Sequence, residues 1–203
     1  MLKAYTWRMK YRETLTPDSF YVSLKGLEQW AETTDKPMDR AVLNSLIAGI
    51  YADYASSNRW QIRQRTNIVD EAPSSDIREW SSNMFVQQVM KYTAGSLQDT
   101  GLLLNTSSRI YIPFVKLGDT SEYYHHDMLH LLGSRGVDAL NNVMGLDKDS
   151  VVQTSVENVY LGMLDAYEKA GMDDGYVLCK LDYLNWKRNS DPTFVPYRAL
   201  QNL

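Results

Sequence analysis

The sequence predicts a mainly α-helical fold, a bundle of about five to seven helices with one or two short strands, and three observations lead to it. Apolar residues recur three and four positions apart over most of the chain. Ser, Thr and Asp residues suited to helix caps stand ahead of several of these stripes, and glycines follow them. Alternation of period two is confined to an N-terminal segment and to a segment near residues 108–117.

Residues 3–12 place Tyr5, Trp7, Met9 and Tyr11 on one face and Thr6, Arg8, Lys10 and Arg12 on the other, the pattern of a half-buried strand. Thr16-Pro17-Asp18 then offers a cap, a proline fit for the first helical position and an early acid. Phe20, Leu24, Leu27 and Ala31 continue at helical spacing, so a helix is expected to about Glu32. From residue 39 to about 55, Val42, Leu43, Leu46, Ile47, Ile50, Tyr51 and Tyr54 cover more than one side of a helix. Such all-round apolarity predicts a central, buried helix.

Asp76-x-x-Glu79 resembles a capping box ahead of Ile77, Trp80, Met84, Val89 and Tyr92, with Gly95 or Gly101 as the stop. Ile110, Ile112 and Phe114 alternate with their neighbours, and Pro113, which lacks an N–H, makes 108–117 an edge strand or an extended segment. Thr120 is expected to open a short helix stopped by Gly133, and residues 134–144 to form another. Ser150-x-x-Gln153 heads a helix through Val156, Val159, Met163 and Tyr167 to a stop at Gly171. Asp173-Asp174-Gly175 reads as a turn into a last helix, roughly 176–188. The expected organisation is one helical domain, 1–188, followed by an extended arm, 189–203.

A chain of 203 residues with 44% apolar and 23% charged residues can bury a core of its own. The formal charge of −4 and pI near 5.4 argue against nucleic acid or anionic lipid as the main partner of the whole surface. The one cysteine, Cys179, rules out an internal disulfide and a multi-cysteine zinc site. No stretch of membrane-spanning length or signal-peptide type is seen in the sequence, so a cytoplasmic location, or one within a virus particle, is expected.

All three histidines fall in Glu122-Tyr123-Tyr124-His125-His126-Asp127-Met128-Leu129-His130. On a helix, His126 and His130 would be neighbours at i,i+4 with Asp127 beside them, a spacing that can hold one divalent metal ion. His126-Asp127-Met128-Leu129-His130-Leu131-Leu132-Gly133 resembles, locally, the His-Asp-x-x-His metal motif of a helical family linked to ubiquinone (coenzyme Q) biosynthesis. The resemblance covers about eight residues and implies a metal site at His126, Asp127 and His130, with zinc as one such metal. The family carries a glutamate twelve residues after the second histidine, where this chain has Asn142. Asp138 is the nearest substitute. The same residues also read as the polar face of an amphipathic helix.

Arg59, Arg63 and Arg65 around Trp60 form a candidate phosphate-binding group, or a set of partners for acids and helix carbonyls. Cys179, among Val177, Leu178 and Leu181, reads as a buried small hydrophobe. Neither a Gly-x-Ser-x-Gly elbow nor a glycine-rich phosphate loop occurs. Tyr and Trp, 14 and 5 against 4 Phe, are rings that suit places where one end packs and the other meets polar surroundings. Phe194, Val195 and Tyr197 on the proline-stiffened arm are candidate partner-binding residues. The expected function is that of a structural subunit of a larger assembly, a homo-oligomer or a set of different subunits, with a virus or phage particle (capsid, neck or connector) as the setting and no cofactor. The alternative is a metal-binding helical enzyme or small-molecule-binding protein with its site on residues 122–130.

Overall fold

The helix built from the stretch that is apolar on several sides, α2 (Pro37–Ser57), is the centre of the molecule, with Pro37 at its first position. Leu43, Ile47, Ala48, Tyr51, Ala52 and Ala55 are all buried on it. It packs most extensively on α4 (Ser82–Ser96), and also on α1 (Phe20–Thr33) and α6 (Met128–Asn142). These contacts come from a computed structural model, which describes residues 20–65, 76–111, 126–191 and 193–195. Two short helices, α3 (Arg59–Arg63) and α5 (Thr100–Leu104), flank this centre. α6 passes the chain to a second group: it packs on α7 (Asp149–Ala170), and α7 on α8 (Asp173–Ser190), which lies at the outer edge. Among the described residues the fold is a bundle of eight α-helices with no strand; the only sheet-type pairing is a single antiparallel bridge, Ser107 to Asp127. The helical class expected from sequence is therefore the observed one. The candidate strand at residues 3–12 lies outside the described residues.

Several boundaries differ from the sequence expectation, through capping in some cases and packing against a distant residue in others. The stripe after Asp76 does not form one helix. Asp76 accepts the Arg78 N–H at 2.9 Å and caps a 3₁₀ turn, Ile77–Glu79. The chain then extends through Trp80, whose indole is buried and stacked on Tyr51 at 5.3 Å, before α4 begins. Seating that ring breaks the helix. Residues 108–111 are a 3₁₀ turn rather than a strand, and residues 112–117 lie outside the described residues.

Gly133 does not stop a helix, and 134–144 is not a separate one: α6 runs straight through it. A Cβ at Gly133 would lie 2.2 Å from the Met163 sulfur, so the glycine lets α7 approach α6 closely. α7 starts at Asp149, which accepts the Gly145 N–H at 2.6 Å, and the Ser150-x-x-Gln153 box does not form its cap. Its far end matches expectation, with Gly171 in the left-handed region at φ 63° that glycine adopts without strain. Asp173-Asp174-Gly175 is the first turn of α8, and Gly175, with no Cβ, leaves room there for the Tyr167 ring. α8 also runs on to Ser190, two residues beyond its expected end at 188. The chain turns there with Thr193 N–H and hydroxyl both on Asp191.

Candidate functional site

Three readings of the sequence converge on α6 and α8, and the geometry sorts them. α6 begins only after Asp127, so His126 is outside the helix, where its carbonyl accepts the Ser108 N–H at 2.8 Å. The expected i,i+4 face shared by His126 and His130 therefore does not form. Asp127 is the N-cap: one oxygen accepts the His130 N–H at 2.6 Å and the other accepts the Tyr167 hydroxyl at 2.7 Å. His130 is buried in the first turn, its Nε2 3.5 Å from the Asp182 carboxylate on α8. Among the described residues no group of three His, Cys, Asp or Glu side chains is placed to hold a metal ion. Asp138 lies elsewhere on α6, its carboxyl pushed up by burial against the opposing pull of Arg135. His125 lies outside the described residues.

A carboxylate placed in this way ties elements together. Asp127 joins the backbone bridge from Ser107, the start of α6 and the Tyr167 hydroxyl of α7 in one buried joint. Burial and the adjacent carboxylate push the Tyr167 phenol upward, which keeps it a donor. A second joint, not foreseen from sequence, sits under α1. Glu28 is buried and accepts hydroxyls from Tyr51 at 2.6 Å and Tyr92 at 2.9 Å, and its other oxygen meets Lys25 at 2.7 Å. Burial raises that carboxyl, but the bonds from Lys25, Tyr51 and Tyr92 outweigh it and hold it below its ordinary range. A third joint links α7 and α8: Glu157 accepts from both Tyr183 and Lys187. Tyr51, Tyr92, Tyr167 and Tyr183 serve these joints, with rings packed in the core and hydroxyls on the carboxylates of Glu28, Asp127 and Glu157.

The arginines do not form a phosphate cradle. Arg59 donates to the carbonyls of Met144 and, at 2.8 Å, Asn142, closing the C-terminal end of α6. Arg65 donates to the Trp80 carbonyl at 2.9 Å, and Arg63 is exposed in the last turn of α3. Two of the three thus serve as partners for backbone carbonyls.

Cys179 is fully buried, as its sequence suggested, and burial pushes its thiol up to about 12. Its expected neighbours are placed differently. Gly175, Cys179 and Tyr183 point inward, whereas Val177 and Leu181, one turn apart, face outward at 43% and 47% exposure. The signal was present in the spacing, since positions two apart on a helix are separated by about 200°. Trp60, at 73% exposure, is a further large ring facing outward.

On the arm, Phe194 packs against the bundle beneath Lys187, correcting the expectation that it stands away from its own domain. Val195 is exposed, and Tyr197 lies outside the described residues. Among the described residues no helix is long and apolar enough to cross a membrane. No protein family, curated protein or solved structure compared with the chain matches it.

Proposed function

We propose that the protein works by packing, as a helical subunit that associates with a second copy of itself through the outer face of α8. The observation that carries this reading is the pair Val177 and Leu181, large apolar side chains one turn apart on the edge helix. Apolar side chains grouped on one exposed face mark interaction surfaces more strongly than scattered ones. The ends of the same helix are of opposite sign, with Asp173 and Asp174 in the first turn and Lys187 and Arg188 in the last. Two copies of α8 laid antiparallel about a two-fold axis near Leu181 would set Leu181 against its mate. The acidic end of each copy would then lie against the basic end of the other, as an isologous contact requires.

The residues that suggested a metal enzyme point away from that alternative, because Asp127 already has both oxygens in hydrogen bonds and His126 lies off the helix. Closed assemblies built from such contacts suit the setting of a virus or phage particle, the larger part of the same proposal. Sedimentation equilibrium of the full chain tests the packing step. An oligomer at micromolar concentration, reduced to monomer by Val177→Asp with Leu181→Asp while the helical signal is unchanged, is the expected result. A monomeric wild-type chain, or a double variant that associates as before, would sink it.

A further inference from the structure

Between Asp174 and Arg188, α8 exposes Asp174, Val177, Leu181, Asn185 and Arg188, and every other residue of that stretch is buried or half-buried. The steps between the exposed positions are three, four, four and three, the spacing that keeps one line of side chains facing a partner helix along its length. That spacing reads the same from either end, with Leu181 at its centre. The residue types do not: an acid stands at one end, an amide and a guanidinium at the other. A second copy laid antiparallel sets Leu181 on Leu181, Val177 on Asn185 and Asp174 on Arg188. Laid parallel, it sets Asp174 on Asp174 and Arg188 on Arg188, which like charges oppose. The neighbouring charges do not blur this pattern. Lys187 is held within its own chain, its Nζ 2.6 Å from Glu157 and over the rings of Tyr183 and Phe194. Asp173 stands about 100° around the helix from Asp174. Arg188 lies on the seam itself and donates to the Asn185 side-chain oxygen at 2.8 Å, so the two polar groups of that half are held together.

Resting on the α8 contact proposed above, we infer that the outer pairs of this seam, Asp174 with Arg188 and Val177 with Asn185, select the partner as an antiparallel second copy of this chain. The apolar centre attracts any apolar surface. The charged ends refuse a parallel mate, and they refuse a foreign helix that lacks the complementary charges. Each copy supplies both members of the charged pair, so a two-fold contact contains that pair twice and one charge reversal spoils both. Asn185 opposite Val177 weakens the contact relative to an apolar residue there, as a polar residue on a helical seam gives up affinity to fix register.

The test mixes charge-reversed forms of the full chain and follows their association by sedimentation velocity at low salt. Asp174→Arg alone and Arg188→Asp alone should each self-associate roughly tenfold or more weakly than the wild-type chain, because each meets two like-charged pairs. An equimolar mixture of the two variants should recover association as a one-to-one heterodimer. The chain carrying both reversals should self-associate as the wild-type chain does, and Asn185→Leu should associate more tightly. Rescue by mixing is a result that a frayed α8 could not give. Single variants that associate as the wild-type chain does, a mixture no stronger than its components, or an Asn185→Leu chain no tighter than wild type would overturn the inference. If Val177→Asp with Leu181→Asp still abolishes association in that case, the α8 contact stands and only the selection falls. A monomeric wild-type chain, or association that survives this double variant, overturns both.

Discussion

Asp127 shows how one side chain can look catalytic in a sequence and be structural in the fold. Its two oxygens hold the α6 N-terminus and the Tyr167 hydroxyl, and both partners are buried. Asp127→Ala removes a helix cap, typically about 0.5–2 kcal/mol, and leaves a buried hydroxyl without its acceptor, about 1–3 kcal/mol. A loss of roughly 2–4 kcal/mol in urea unfolding is expected, and a smaller loss for Asp127→Asn, which keeps an acceptor. From sequence Asp127 read as a metal ligand, or as part of the polar face of a helix opened at Thr120. Its place as N-cap was not legible, because a His-Asp-x-x-His spacing assumes a helix that already contains the first histidine.

Glu28 yields a prediction of the same scale. Its carboxyl is held below the ordinary value of 4.5, so its contribution is fully present above that value and disappears as the pH falls through the lowered native value. Wild-type stability should therefore fall in this acid range. Glu28→Gln should be less stable at neutral pH and show a shallower acid decline, measured by urea unfolding at a series of pH values. Equal slopes for the two proteins would refute the role given to this joint.

At the scale of elements, glycines separate packing from propensity. Gly175 sits under the buried Tyr167 ring, and a Cβ there would lie 2.4 Å from a ring carbon. Gly175→Ala is expected to cost about 1–3 kcal/mol by overpacking. Gly162→Ala, with open space above it, should raise stability by up to about 1 kcal/mol. Comparing the two melting transitions checks both. The helices α1, α2 and α7 were legible because their apolar stripes are long and well bounded. The break at Trp80 and the passage of α6 through Gly133 were not, since each depends on a residue far away in sequence, Tyr51 in one case and Met163 in the other.

For the whole molecule, the balance of buried and exposed groups decides the functional reading. The core unites both groups of helices, and its polar members, Glu28, Asp127 and His130 among them, sit at joints between helices. Among the exposed large apolar side chains, Val177 and Leu181 stand one turn apart on α8, where they were first read as lining for Cys179. Their true direction followed from helical spacing once the buried stripe Gly175, Cys179, Tyr183 was fixed. Which surface meets a partner could not be read from composition, because Tyr51, Tyr92, Tyr167 and Tyr183, part of the excess that suggested an interface, donate their hydroxyls to carboxylates of the same chain.

If two copies of α8 meet antiparallel near Leu181, a cysteine at that position faces its own mate and can be cross-linked to it. Leu181→Cys should form a disulfide-linked dimer under mild oxidation at low micromolar concentration, resolved on a non-reducing gel. Leu161→Cys, also exposed but on α7, should associate as the wild-type chain does yet give no cross-linked band, and the buried native Cys179 should not take part. Failure of Leu181→Cys to cross-link, or equal cross-linking at both positions, would contradict the proposed packing.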